Sequence, residues 1–524
     1  MKFSRFFAAD VLVALLLGVA WAQPPSPQTQ SDSQTPQQQQ QDQPPRESPE
    51  TPAGEGARST QAPDKQPSEK QTPDTQTSAK QAPEKIISPS EAKELFRSVD
   101  KLLKFASDDT GLPIKHEVKR KLTDRKEVEA YLEKGMKDDK DAKRLERSSE
   151  VLKKFGLLPR DFQLGPFLVA MLKEQVAGYY DPKKKTVNLL NWIDAEQQKP
   201  VLAHELTHAL QDESYDMEKW MKEAETEGEK KNDPTPADID TDEESEAREA
   251  VVEGQAMVVM MDYSLLPLGK TLLDMPQIGE ALKKGMLDGP DSPTFRNAPI
   301  FLKEELTFPY RYGMDFTLAL EKAGGKKLGF AGAFQNPPAT TREIMEPDTY
   351  LAHEKIEPVK RLDFKKDFEK YDTFDIGAIG EFDVDVLVEQ YAGRDEAEAL
   401  YPAWRGGYYF AGRPRGAKSG PLGVLYVSQW ASPEKAAEFA ADYAKSLAQR
   451  YQKRQAIGGD GKVAEDAPPV DSWRTLRGRH AWMTEEGALV IEVRGDKVLV
   501  SESLDEETTK RTEGDFFGDA AQSQ

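Results

Sequence analysis

Apolar positions between residues 201 and 210 enclose a short polar cluster. Val201, Leu202, Leu206, Ala209 and Leu210 surround His204, Glu205 and His208, which is the pattern of a buried helix. Lys199-Pro200 stands just ahead, and proline is favoured at a helix start because its missing N–H would have no intrahelical partner there. A second helical run covers residues 245–257, behind Thr241-Asp242-Glu243-Glu244, which has the spacing of a capping box. Upstream, residues 175–180 and 186–190 are β-rich and are joined by Asp181-Pro182-Lys183-Lys184-Lys185, so the pair predicts a hairpin. Further helices are expected over residues 90–106, 125–135 and 143–155, and again up to about residue 323. The polar, charged stretch at 213–240 reads as a mobile loop near a cleft. Beyond about residue 375 the pattern predicts a strand at 423–428, a helix capped by Ser432 from 433 to about 454, and a hairpin of 488–493 with 497–500 turning at Arg494-Gly495-Asp496.

This order predicts an α+β chain. A mostly helical domain at 89–360, carrying a β-hairpin or small sheet, would be followed by a smaller α+β domain at 361–510 and a flexible tail at 511–524. The segment Trp404-Arg405-Gly406-Gly407-Tyr408-Tyr409 in the second domain suits either a packed structural role or a binding surface. At the N-terminus, Lys2 and Arg5 precede an apolar run at 11–19, and Ala20-Trp21-Ala22 matches a signal-peptidase site. The run is too short for a comfortable membrane span. Residues 1–22 therefore read as a signal peptide cleaved after Ala22, and the mature protein is expected in the periplasm or outside the cell. Residues 23–88 are proline, glutamine, serine and threonine with almost no large apolar side chain, so a disordered linker is expected. The formal net charge of −21 argues against nucleic acid and anionic membranes as partners.

The chemistry centres on the polar cluster. Residues four apart on a helix share a face, so His204 and His208 can point at one metal ion, while Glu205 projects beside it, placed to move protons. The chain has five histidines and two of them stand here in register. A purely structural zinc site would not call for Glu205 and usually closes with cysteine, of which the chain has none. A catalytic zinc takes three protein ligands and keeps a fourth position open. Glu246, Glu249 and Glu253 fall within one helical stripe, so any of them could be the third ligand. Glu253 is preferred because Val251, Val252, Ala256, Met257 and Val258 surround it, and an unpaired carboxylate is costly in an apolar setting whereas a metal-bound one is satisfied. Glu246 and Glu249 are expected on a solvated face with Arg248, and Met257, Met260 and Met261 in the core. Gly254 and Ala256 would leave room for the helix that bears the histidines.

These motifs resemble the thermolysin-like zinc peptidases, or gluzincins, in which His-Glu-x-x-His on one helix is completed by a glutamate on the next. They also resemble a bacterial family of secreted gluzincin-like proteins through Gly178 to Pro182, His208 to Asp212 and the Glu-Gly-x-Ala motif at Glu253 to Ala256. The resemblance covers roughly residues 150–510. It implies a zincin-like metallopeptidase domain, zinc ligands His204, His208 and Glu253, and Glu205 as catalytic base. Two departures stand out. Where thermolysin has an aspartate four residues after its ligand glutamate, this chain has Met257, so a partner for a ligand histidine must come from elsewhere, Asp212 being one candidate. Glu346 stands where the secreted family tends to carry a histidine. In gluzincins an edge strand ahead of the zinc helix pairs with substrate backbone, and the predicted hairpin could do this or could simply pack the helix. Tyr310, Arg311, Tyr312, Arg342, Tyr350 and His353 lie where such enzymes place oxyanion-stabilising groups, with nothing in the sequence to choose among them. The expectation is a secreted zinc-dependent peptidase, an endopeptidase acting on peptide or protein substrates. The alternative is a noncatalytic envelope or extracellular binding protein retaining the fold.

Overall fold

A reciprocal capping box opens the first described helix. The Ser88 hydroxyl accepts from the Glu91 N–H while the Glu91 carboxylate accepts from the Ser88 N–H at 2.6 Å, starting the first helix, Pro89–Thr110. The computed structural model describes residues 86–518, apart from 137–138, 227–232, 290–291, 459–461 and 464–472. The expected signal peptide, nearly all of the linker and the centre of the 213–240 insertion lie outside the described residues.

The chain is α+β, as its patterning predicts. Its first sheet has three strands: β1 (Lys119–Thr123), β2 (Tyr179–Asp181) and β3 (Thr186–Leu190). Central β3 runs parallel to β1 and antiparallel to β2, which leaves β2 at the edge. The predicted hairpin is therefore present, and Lys185 takes the left-handed conformation (φ 53°) where it turns into β3.

The motif helix, Ala195–Tyr215, begins at an Asp194 cap, a turn earlier than the proline signal implied. Pro200 sits inside it, where proline removes a helical hydrogen bond. Gln198 holds this turn in place: its amide accepts from the Leu190 N–H and donates to the carbonyls of Leu190 and Ile193, clamping the helix start onto the end of β3.

The ligand helix, Asp238–Leu265, also begins ahead of its sequence signal. Thr241 lies within it, and Glu244, the residue that would close the box, bonds Arg248 instead. Gly254 does not face the motif helix. It meets Gly313 of the Ile300–Lys326 helix so closely that a Cβ at 254 would lie 2.0 Å from the Gly313 carbonyl carbon, and one at 313 would lie 2.0 Å from the Ala250 oxygen. The solvated face expected for Glu246, Arg248 and Glu249 is buried. For Arg248 the reason lies in the 213–240 segment, which folds in part as the helix Met217–Lys222. Trp220 from that helix donates to the Phe334 carbonyl, and the Arg248 guanidinium lies 4.5 Å over its ring while bonding Glu244 and the Trp220 carbonyl.

At the far end of the ligand helix, Asp262 is buried near Asp109, Glu321 and Lys326. Burial, and then the charge of Asp109, pushes its carboxyl up to about 7 although it accepts from the Leu272 N–H. An acid whose folded-state pKa is raised binds protons more tightly folded than unfolded, so its contribution to stability is lost as pH climbs from about 4 to about 7. Asp262→Asn, which keeps the acceptor, removes this penalty. Urea melts should show its stability relative to wild type rising by roughly 2–4 kcal/mol between pH 4 and pH 8; parallel pH profiles would refute the assignment.

The second sheet has seven antiparallel strands in the order β4-β5-β6-β10-β9-β8-β7. They are β4 (Tyr371–Ala378), β5 (Trp404–Pro414), β6 (Gly423–Trp430), β7 (Arg454–Ile457), β8 (Gly478–Thr484), β9 (Gly487–Arg494) and β10 (Lys497–Glu502). The predicted 488–500 hairpin forms β9 and β10, and Ser432 caps the helix Pro433–Arg450. Alternate residues of β6 enter two apolar clusters, Val424 and Tyr426 one, Leu425 and Val427 the other. The first cluster continues into the helical half, so one core crosses the boundary expected near residue 360. Trp404, Tyr408 and Tyr409 are buried in β5 and therefore structural. The helix Glu506–Phe517, with Phe516 fully buried, extends the fold into the expected tail. Among the described residues no helix is long and apolar enough to cross a membrane.

Candidate metal centre

The motif helix and the ligand helix bring His204, His208 and Glu253 together, each completely buried. The two Nε2 atoms are 3.0 Å apart, and Glu253 Oε2 lies 3.2 Å from that of His204 and 3.6 Å from that of His208. Neither carboxylate oxygen of Glu253 has a well-directed hydrogen bond, an expensive arrangement for a buried charge unless something else satisfies it. The geometry fits a metal. With ligand bonds of about 2.0–2.1 Å, a tetrahedral zinc site has ligand–ligand edges of roughly 3.3 Å, and the three separations bracket that value.

The electrostatics of the three side chains follow from the same packing. Burial pushes the His204 imidazole down to about 4. Burial acts the same way on His208, but the carboxylates of Glu253 and Glu205 outweigh it and raise that imidazole to about 9. For Glu253, burial works upward and the two histidines outweigh it, holding the carboxyl below its ordinary value. The cluster thus pairs a carboxylate with an imidazolium, and a cation bound among the three would take the proton's place.

Glu205 projects to the side of the triad, as the motif requires. Its Oε2 accepts from the Tyr180 N–H at 2.8 Å, so edge strand β2 fixes the carboxylate. Since the Tyr180 N–H is committed to Glu205, the hairpin acts here by packing and orienting the motif helix; it does not offer that donor to an added strand.

Asp212 is not the partner of a ligand histidine. It accepts from the Tyr180 hydroxyl at 2.9 Å and from Lys185 Nζ, tying the hairpin to the motif helix. Gln211 takes that place instead, its Oε1 lying 2.9 Å from His208 Nδ1. The i, i+3 spacing from His208 was the available signal, because such residues are neighbours on a helix surface.

Of the six residues in the oxyanion region, Tyr310 alone shows a contact with the triad, its ring stacked over that of His204 at a centroid distance of 6.3 Å. Arg311 pairs with Glu304 at 2.6 Å. The Tyr312 hydroxyl is 3.4 Å from an Arg394 nitrogen, and Tyr350 donates to the Asn336 carbonyl. His353 is exposed. Arg342 gathers Glu381, Glu354 and Glu346, so Glu346 joins an ion cluster built around the buried Arg342–Glu381 pair.

Fold and site together define an α+β protein with a buried His-His-Glu centre able to hold a metal ion. Comparison with known protein families finds no match, and comparison with curated proteins finds none. Among solved structures the chain is similar to a Chloroflexus aurantiacus protein described as a candidate hydrolase with a novel fold, at 16% identity and a TM-score of 0.31 over 51% of this chain and 90% of that one.

Proposed function

We propose that the protein is a zinc-dependent peptidase with a zincin-like catalytic domain, exported to the periplasm or the cell exterior, with His204, His208 and Glu253 as metal ligands and Glu205 as general base. The observation that carries this reading is the convergence of three buried ligand atoms beside a carboxylate that takes no part in the ligand set but is held in place by a backbone N–H. Zinc, when bound, supplies a Lewis acid that makes water nucleophilic near neutral pH.

The remaining steps belong to the chain. Glu205 takes the proton of the attacking water and returns it to the leaving amine. The Tyr180 N–H keeps one carboxylate oxygen engaged, which fixes the direction in which the other can act. Tyr310 lies against His204 and is the candidate to face the developing oxyanion. Full burial of both imidazoles excludes bulk water from the ligand side of the centre, where fixed dipoles act most strongly.

The test is metal content by elemental analysis, together with cleavage of casein and a mixed peptide library before and after chelation and with zinc restored. One zinc per chain and chelator-sensitive cleavage are expected. Zinc without cleavage of any peptide would point to a binding protein, and absence of zinc would remove the central assignment.

A further inference from the structure

The donors and acceptors behind His208 can be assigned from groups whose polarity is not adjustable. Gln211 Nε2 lies 3.1 Å from the Val252 carbonyl oxygen and 3.0 Å from Gln255 Oε1. Gln255 Nε2 lies 2.9 Å from the carbonyl oxygens of both Gly329 and Phe330, in the π-helical turn Lys327–Gly332. Backbone carbonyls only accept, so all three pin the glutamine amides with nitrogen facing them. Gln255 Oε1 must then face Gln211, and Gln211 Oε1 must face His208 Nδ1. An amide oxygen cannot donate, which leaves His208 Nδ1 as the N–H.

We infer that Gln211 and Gln255 form a neutral amide relay that holds His208 in the Nδ1–H form with its Nε2 aimed at the metal position, and that couples the centre to the 327–332 turn. This rests on the metal-site reading above. His208, Gln211, Gln255 and Phe330 are all at 0% exposure. Water therefore cannot substitute for a lost member, and each amide hydrogen bond restricts the imidazole both in rotation and in tautomer. Gln211 acts through His208 and is a positioning residue.

The polarity argument separates this relay from a carboxylate of the kind that commonly supports a ligand histidine. In Gln211→Glu the second carboxylate oxygen would face the Val252 and Gln255 oxygens, acceptor against acceptor. The variant should therefore weaken the site, although it places a negative charge behind the imidazole. In a site free to reorient, the same change would strengthen it.

The experiment measures zinc affinity by chelator competition and the visible spectrum of the cobalt-substituted protein for wild type, Gln211→Leu, Gln211→Glu and Gln255→Leu, with thermal melts to establish folding. Gln211→Leu should bind zinc about 10–100-fold more weakly with an altered cobalt spectrum. Gln211→Glu should also bind more weakly than wild type, and Gln255→Leu should show a smaller loss. Folded Gln211→Leu with wild-type affinity and spectrum, or Gln211→Glu with tighter binding, would overturn the proposal. If wild type takes up no zinc, the metal-site reading fails by itself, and the relay is read by NMR from the His208 Nδ1 proton. That proton should be protected in the metal-free wild type and lose protection in Gln211→Leu; equal exchange in both would overturn the relay.

Discussion

Glu205→Gln should lower peptide cleavage by about 10²- to 10⁴-fold, the range general acid–base catalysis supplies, while leaving metal content at the wild-type level. The separation of the two effects follows from geometry. Glu205 is not among the three converging ligand atoms, whose separations of 3.0, 3.2 and 3.6 Å involve only His204, His208 and Glu253. Glutamine retains an oxygen to accept from the Tyr180 N–H, so strand β2 and the motif helix keep their contact. What is lost is a group that can take up a proton. Purified variant and wild type would be compared by elemental analysis and by kcat/KM on one peptide substrate. A variant that cleaves as well as wild type would remove Glu205 from the reaction; one that loses its metal would show that the carboxylate is needed to build the site.

Gly254→Ala should destabilise the fold by about 3 kcal/mol or more, at the upper end of what overpacking costs, and weaken metal binding with it. The added methyl would stand 2.0 Å from the carbonyl carbon and 2.6 Å from the Cα of Gly313. Those are backbone atoms of another helix, which cannot rotate aside as a side chain could. The ligand helix and the Ile300–Lys326 helix must separate, and Glu253, the preceding residue, shifts with its helix relative to two imidazoles on a third element. Gly313→Ala should act alike, since its methyl would stand 2.0 Å from the Ala250 oxygen. The double variant should cost less than the sum, because a single separation of the helices relieves both clashes. Urea melts and chelator competition provide the check; a Gly254→Ala protein with wild-type melting and zinc affinity would show that the crossing is looser than its geometry.

The differences between sequence expectation and structure share a cause. A helix start is read from the residues that would satisfy its first N–H groups, yet Thr241 and Pro200 both fall inside longer helices. At Pro200 the helix is held by Gln198, which reaches across to β3. Arg248 looked solvated because a charged residue in a run of glutamates normally is. It is buried because Trp220, 28 residues earlier, lies under it. At Pro200 and at Arg248 the deciding partner belongs to a different element.

The sequence by itself located the buried group that could hold a metal ion. Helical periodicity places His204 and His208 on one face with Glu205 beside them, and the cost of burying an unpaired carboxylate in an apolar stretch singled out Glu253. The 175–190 hairpin and strands β6, β9 and β10 were equally legible, since alternation and turn residues are local properties. Only the tertiary structure decided that Gln211 rather than Asp212 backs His208, that a strand N–H holds Glu205, that Gly254 serves a different helix crossing from the one its position implied, and that Tyr310 alone of six candidates reaches the triad. These are contacts between elements, and the free energy that selects them comes from closing helices and strands around a shared core, which no periodicity along a single segment encodes.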